Sequence, residues 1–163
     1  MKDKEVFAKA MVIQQAKELL LTASTKATGV TSGSAQADTL RMSITQAIVQ
    51  SMQDSSLNEL NITHIISKLE MIDTSVVIPD NEKEFIKAQV TEISTALNSL
   101  ANDTTADTST LTQAQTTLES QVDTAKETIT NATITSTLTV VQIEIEPQPV
   151  ASTLATPPTP PSL

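Results

Sequence analysis

The residues of this chain that could do chemistry are few, and each needs partners that the sequence must supply. His64 is the only histidine and there is no cysteine, so a zinc site or a Ser-His nucleophile would have to be assembled from several chains. A lone histidine at the edge of an apolar helix face reads as a packing residue. Asp80, Glu82 and Glu84 bring three carboxylates close together, but the DxDxDG loop that folds around Ca²⁺ is absent. They suit the first turn of a helix, where carboxylates face the positive end of the dipole. Gly29 and Gly33 lie four apart with no lysine following, which matches neither the phosphate-binding loop nor the dinucleotide fingerprint. Paired carboxylates of the glycosidase type usually work beside aromatic platforms in a deep pocket, and this composition lacks the aromatics. No enzymatic activity, cofactor, metal or small-molecule substrate is expected.

Two further patterns concern surfaces. Asn61-Ile62-Thr63, Asn102-Asp103-Thr104 and Asn131-Ala132-Thr133 fit the glycosylation sequon, which a chain this rich in Asn and Thr produces by chance. The PxxP spacing at Pro157–Pro160 and Pro158–Pro161 has no basic flank, so an arm lying along a partner surface is the preferred reading over a docked ligand for an aromatic groove.

The 163 residues leave room for one core. That core must be aliphatic, because Phe7 and Phe85 are the only aromatics. Of 27 threonines, 17 lie from Thr104 onward. The net charge is −9, with Arg41 the single arginine; nucleic-acid binding, which draws on Lys, Arg and stacking aromatics, is not expected. The charge is uneven. Residues 1–26 carry five lysines against three acids, whereas the rest of the chain is acidic throughout. The N-terminal segment is interrupted by Lys9, Gln14, Gln15, Lys17 and Glu18, so no signal peptide is read there and any export is expected by another route. No run reaches the ~20 apolar residues of a membrane span.

Periodicity sets the elements. Residues 1–23 read as a helix with a broad apolar face, and Val6, Phe7, Ile13 and Leu20 on it are expected to form an anchoring surface. A flexible linker follows over 24–36, then a helical pair with an extended connector over 37–79: one helix from Ala37 to about Gln53, another near 56–73, and Val76-Val77-Ile78 before Pro79. Asp80 is expected to cap the next helix. Residues 80–133 carry the heptad steps Ile86, Val90, Ile93, Leu97, Leu100, Leu111 and Leu118, read as an interface between chains in a coiled coil or a helical hairpin. A turn at 102–107 is favoured over one continuous helix, since Asn102, Asp103 and two threonines are better caps than helix interiors. Residues 134–146 read as a strand with a face switch near Val140–Val141. Its pairing residues Leu138, Val140, Val141, Ile143 and Ile145 are expected to find their partner in another subunit. Residues 147–163, with Pro157, Pro158, Pro160 and Pro161, read as an extended arm in the polyproline II conformation.

The expected class is therefore mainly α: a helical bundle or coiled-coil hairpin, oligomeric, with one C-terminal strand and a proline-rich arm. In its Thr, Ser, Ala and Gln content, its lack of Cys and Trp, and its heptads, the chain resembles bacteriophage virion proteins such as head fibres, decoration proteins and neck or tail components. That resemblance implies a non-enzymatic structural protein of the virion, whose partners are itself and other structural proteins. Two other placements fit the composition: a subunit of a secreted filament or secretion-needle assembly, and a cytosolic helical adaptor that binds through its proline arm.

Overall fold

The computed structural model describes residues 2–31, 33–54, 61–104 and 107–145. They form a helical bundle in the order α1 (Lys2–Thr28), α2 (Ala35–Asp54), α3 (Ile62–Ile72), α4 (Asp80–Ala101) and α5 (Thr108–Asn131). No strand occurs among the described residues.

α1 is the central element. Ala8, Met11, Val12, Ala16, Leu19, Leu20 and Ala23 are buried along it, and so are Gln15 and Ser24. Steps of three and four residues keep them on one wide stripe. That stripe meets α4, α5 and α2, while α3 packs between α2 and α4. The width read from the sequence thus serves three neighbours. The expected anchoring surface is corrected accordingly: Leu20 is fully buried, Phe7 and Ile13 pack against the core, and of the four only Val6, 65% exposed, faces outward.

Helix ends follow side-chain chemistry. α1 runs five residues past Ala23, through a segment read as linker, and there Thr22, Thr25 and Thr28 donate their hydroxyls to carbonyls one turn back, at Glu18, Leu21 and Ser24, so their polar groups are satisfied on the helix itself. It stops at Gly29, whose φ of 71° lets the Val30 N–H return to the Thr25 carbonyl at 3.1 Å. Ser34 caps α2 by accepting from the Ala37 N–H at 3.1 Å. Asn61 caps α3 through the His64 N–H at 3.0 Å. The cap position of α4 is Pro79 rather than Asp80, which sits inside the first turn with Glu82. Pro79 has the fixed φ suited to a helix start.

The chain turns between α4 and α5, so the hairpin describes residues 80–131 and a continuous helix does not. Asp107 makes the second start, accepting from the Thr110 N–H at 2.8 Å and its hydroxyl at 2.9 Å. All seven heptad residues, Ile86, Val90, Ile93, Leu97, Leu100, Leu111 and Leu118, are buried at 4% exposure or less within the chain's own core. The expectation of an interface between chains is corrected here. α1 fills the seam that a second copy would have filled.

Two predictions come from this packing. Leu97→Ala should cost about 2–5 kcal/mol in chemical denaturation, the range for a large-to-small change at a fully buried site. Leu97→Asp should prevent folding of the single chain instead of dissociating an assembly, as read by loss of helical circular dichroism. The second concerns Asp107, whose carboxyl the Thr110 N–H and hydroxyl hold below its ordinary value of 3.8. A folded-state pKa lowered in this way stabilises the fold above 3.8 and stops doing so as pH falls through the depressed value. The melting-temperature advantage of the wild type over Asp107→Ala should therefore be full at neutral pH and shrink in strong acid.

Candidate interaction surfaces

Three places bring polar groups together or leave apolar ones uncovered. The first lies where α1 ends. Lys26 reaches across to Glu82 of α4, with Nζ to Oε2 at 2.9 Å, and donates to the carbonyls of Ile129 and Ala132 at the end of α5. One ammonium thereby closes three elements, and it sits at the negative end of the α5 dipole. Glu82 is 1% exposed and its Oε1 has no hydrogen-bond partner among the described residues. A carboxylate so deeply placed depends on Lys26; removing the lysine would strand a buried charge, at a cost of about 3–5 kcal/mol. Asp80 and Glu84 are exposed and stand apart from it. Among the described residues no group of three or more His, Cys, Asp or Glu side chains could hold a metal ion.

The second place is the segment 136–145, which follows a turn at 133–136 and lies along the α4–α5 hairpin. Its backbone is paired by side chains where a strand would use another strand. Gln89, fully buried on α4, donates Nε2 to the Val141 carbonyl at 2.9 Å and accepts the Val141 N–H on Oε1 at 2.8 Å. Gln121 on α5 makes the same pair with Glu144, at 3.1 and 3.2 Å. Asn81 donates to the Thr133 and Ser136 carbonyls at 2.8 and 2.9 Å. A primary amide presents one donor and one acceptor at the spacing of a peptide group, so it can stand in for a strand neighbour. Ile143 and Ile145 are buried beneath the segment, while Leu138, Val140 and Val141 are partly buried against the core. These are the residues read as strand pairing. The partner expected in another subunit is corrected to the chain's own glutamines. Spacing of apolar residues could not have shown this, because Gln89 and Gln121 sit among ordinary polar helix positions.

The third place is the outer face of α2. Its inner side buries Ala37, Leu40, Ile44, Ala47 and Ile48. The opposite side exposes Met42 at 72%, Val49 at 46% and Met52 at 49%, and a shallow groove runs there beside Arg41, Thr45, Gln46, Gln50 and Gln53. His64 belongs to the inner side: its Nδ1 lies 3.4 Å from the hydroxyl of Ser51, joining α3 to α2. This is a packing role. The arm residues Pro157, Pro158, Pro160 and Pro161, with the rest of 146–163, lie outside the described residues. Among the described residues no helix is long and apolar enough to cross a membrane.

The two glutamines should differ in weight. Gln89→Ala leaves a partly buried N–H and C=O of Val141 without partners and should cost about 1–3 kcal/mol, whereas Gln121→Ala at an exposed pair should cost about 0.5 kcal/mol. Urea denaturation checks the first difference, and amide exchange at Val141, faster in Gln89→Ala, checks its cause. Equal costs for the two would mean that apolar burial alone holds the segment.

No family model, curated protein or solved structure matches the chain.

Proposed function

We propose that this protein is a non-enzymatic structural subunit of a larger assembly, which holds its place through a rigid helical body and an extended C-terminal arm. The observation that carries the reading is the fixed departure point of the arm. Gln89 and Gln121 clamp residues 141–144 to the hairpin, and Ile145 is buried. Seven prolines are present in the chain, and six of them follow at 147–161. Such a segment starts with little conformational freedom to lose, which favours laying it along a neighbouring surface. The core is aliphatic, with a few buried polar groups such as Gln15, Ser24 and Gln89, and offers support to such an arm and little equipment for chemistry.

Within that class the compositional resemblance favours a bacteriophage virion component, a head fibre, decoration protein or neck or tail protein, present in the host cytoplasm during assembly. The test is to fractionate particles from the native source on a density gradient and to locate the chain with an antibody. The chain should sediment with the coat protein. A version lacking residues 147–163 should keep its melting temperature and drop out of the particle fraction. Recovery only among small soluble proteins would overturn the assembly reading, and recovery as filaments in the growth medium would replace the virion with a secreted polymer.

A further inference from the structure

The outer face of α2 carries an inference of its own. Met42, Thr45, Val49 and Met52 follow steps of three, four and three, the spacing of a coiled-coil seam. The seam is exposed, and it runs on the side of the helix that the bundle does not use. Between Arg41 and Asp54 the helix holds no ionisable residue at all, on a chain of net charge −9.

A partner recruited by charge would call for charged groups on this face. What the face offers is methionine, valine and amides, and amides are self-complementary, each with a donor and an acceptor. For an acidic protein, an uncharged stripe is also where a second copy can approach with least repulsion. The one orientation with a charge match is antiparallel. It brings Arg41, which also pairs with Asp38 at 3.6 Å, opposite the far end of the other α2, where the helix dipole is negative.

We infer that two copies of this chain pair through the outer faces of their α2 helices, antiparallel about a two-fold axis, with Met42 opposite Met52 and Thr45 opposite Val49. The pairing deepens the assembly reading and rests on it for its purpose, whereas its existence is tested on the isolated full-length chain. A contact made by one helix from each side falls below the ~1,200 Å² of a standard interface, so the dimer should be weak and concentration-dependent.

Sedimentation velocity of the full chain should show a shift from 17.4 kDa toward twice that mass as concentration rises. Val49→Glu, a change at an exposed site, should keep the circular dichroism and melting temperature of the wild type and weaken dimerisation at least tenfold. The register is read separately. Because the chain has no cysteine, Thr45→Cys mixed with Val49→Cys should form disulfide-linked dimers faster than either variant alone. A wild type that stays monomeric at every concentration, or a folded Val49→Glu that dimerises equally well, overturns the pairing; faster linking within each variant alone overturns the antiparallel register. These outcomes are distinct from failure of the assembly reading, which is judged by whether the chain sediments with particles.

Discussion

The structure depends first on the enclosure of α1. A helix with nine buried positions cannot be satisfied by one neighbour, and here α4, α5 and α2 share it. Polar ties fix its placement along its length: Lys4 donates to the Asp103 carbonyl at one end, Glu18 meets Lys126 of α5 in the middle at 3.3 Å, and Lys26 closes the other end on Glu82 and α5. α1 therefore runs antiparallel to α4 and alongside α5. The basic charge of the N-terminal segment is partly directed at carbonyls and carboxylates of the chain itself.

Enclosing α1 decides what becomes of the heptads. A seam of Ile86, Val90, Ile93, Leu97 and Leu100 is equally compatible with a second chain and with a helix from elsewhere in the same chain. Local spacing records that a helix must pack, and leaves open which helix. α1 is long, apolar and close in composition to what the seam requires, so the intramolecular solution removes the need for a partner there.

The helices themselves were legible, because three- and four-residue steps survive over 11 to 27 residues. Their ends were less so. α1 passes Ala23 with threonine hydroxyls bonded back to helix carbonyls, so a polar, Thr-rich stretch that looks like linker in sequence is helical. The same back-bonding recurs at Thr39, Thr45, Thr91, Thr117, Thr128 and Thr130. It satisfies the hydroxyls, while packing around α1 holds the helices of a chain so rich in β-branched polar residues. The alternation of 134–146 reads as a strand, and the described part of it forms a turn at 133–136 and then a segment without strand pairing. The partner of that segment was not legible, since a glutamine that pairs a backbone looks no different in sequence from one that faces water.

That glutamine does more than satisfy two backbone groups. In an extended segment, neighbouring residues direct their N–H and C=O to opposite sides. Gln89 is buried and can meet only the residue whose pair points toward α4, which is Val141. A slip by one residue would turn that pair away, leave the Gln89 amide unpaired in the core, and carry Ile143 and Ile145 off the face where they are buried. In a core with almost no aromatics to fix its geometry by shape, buried polar groups supply the register: Gln89 for the extended segment, and the Lys26–Glu82 pair for the junction of α1, α4 and α5.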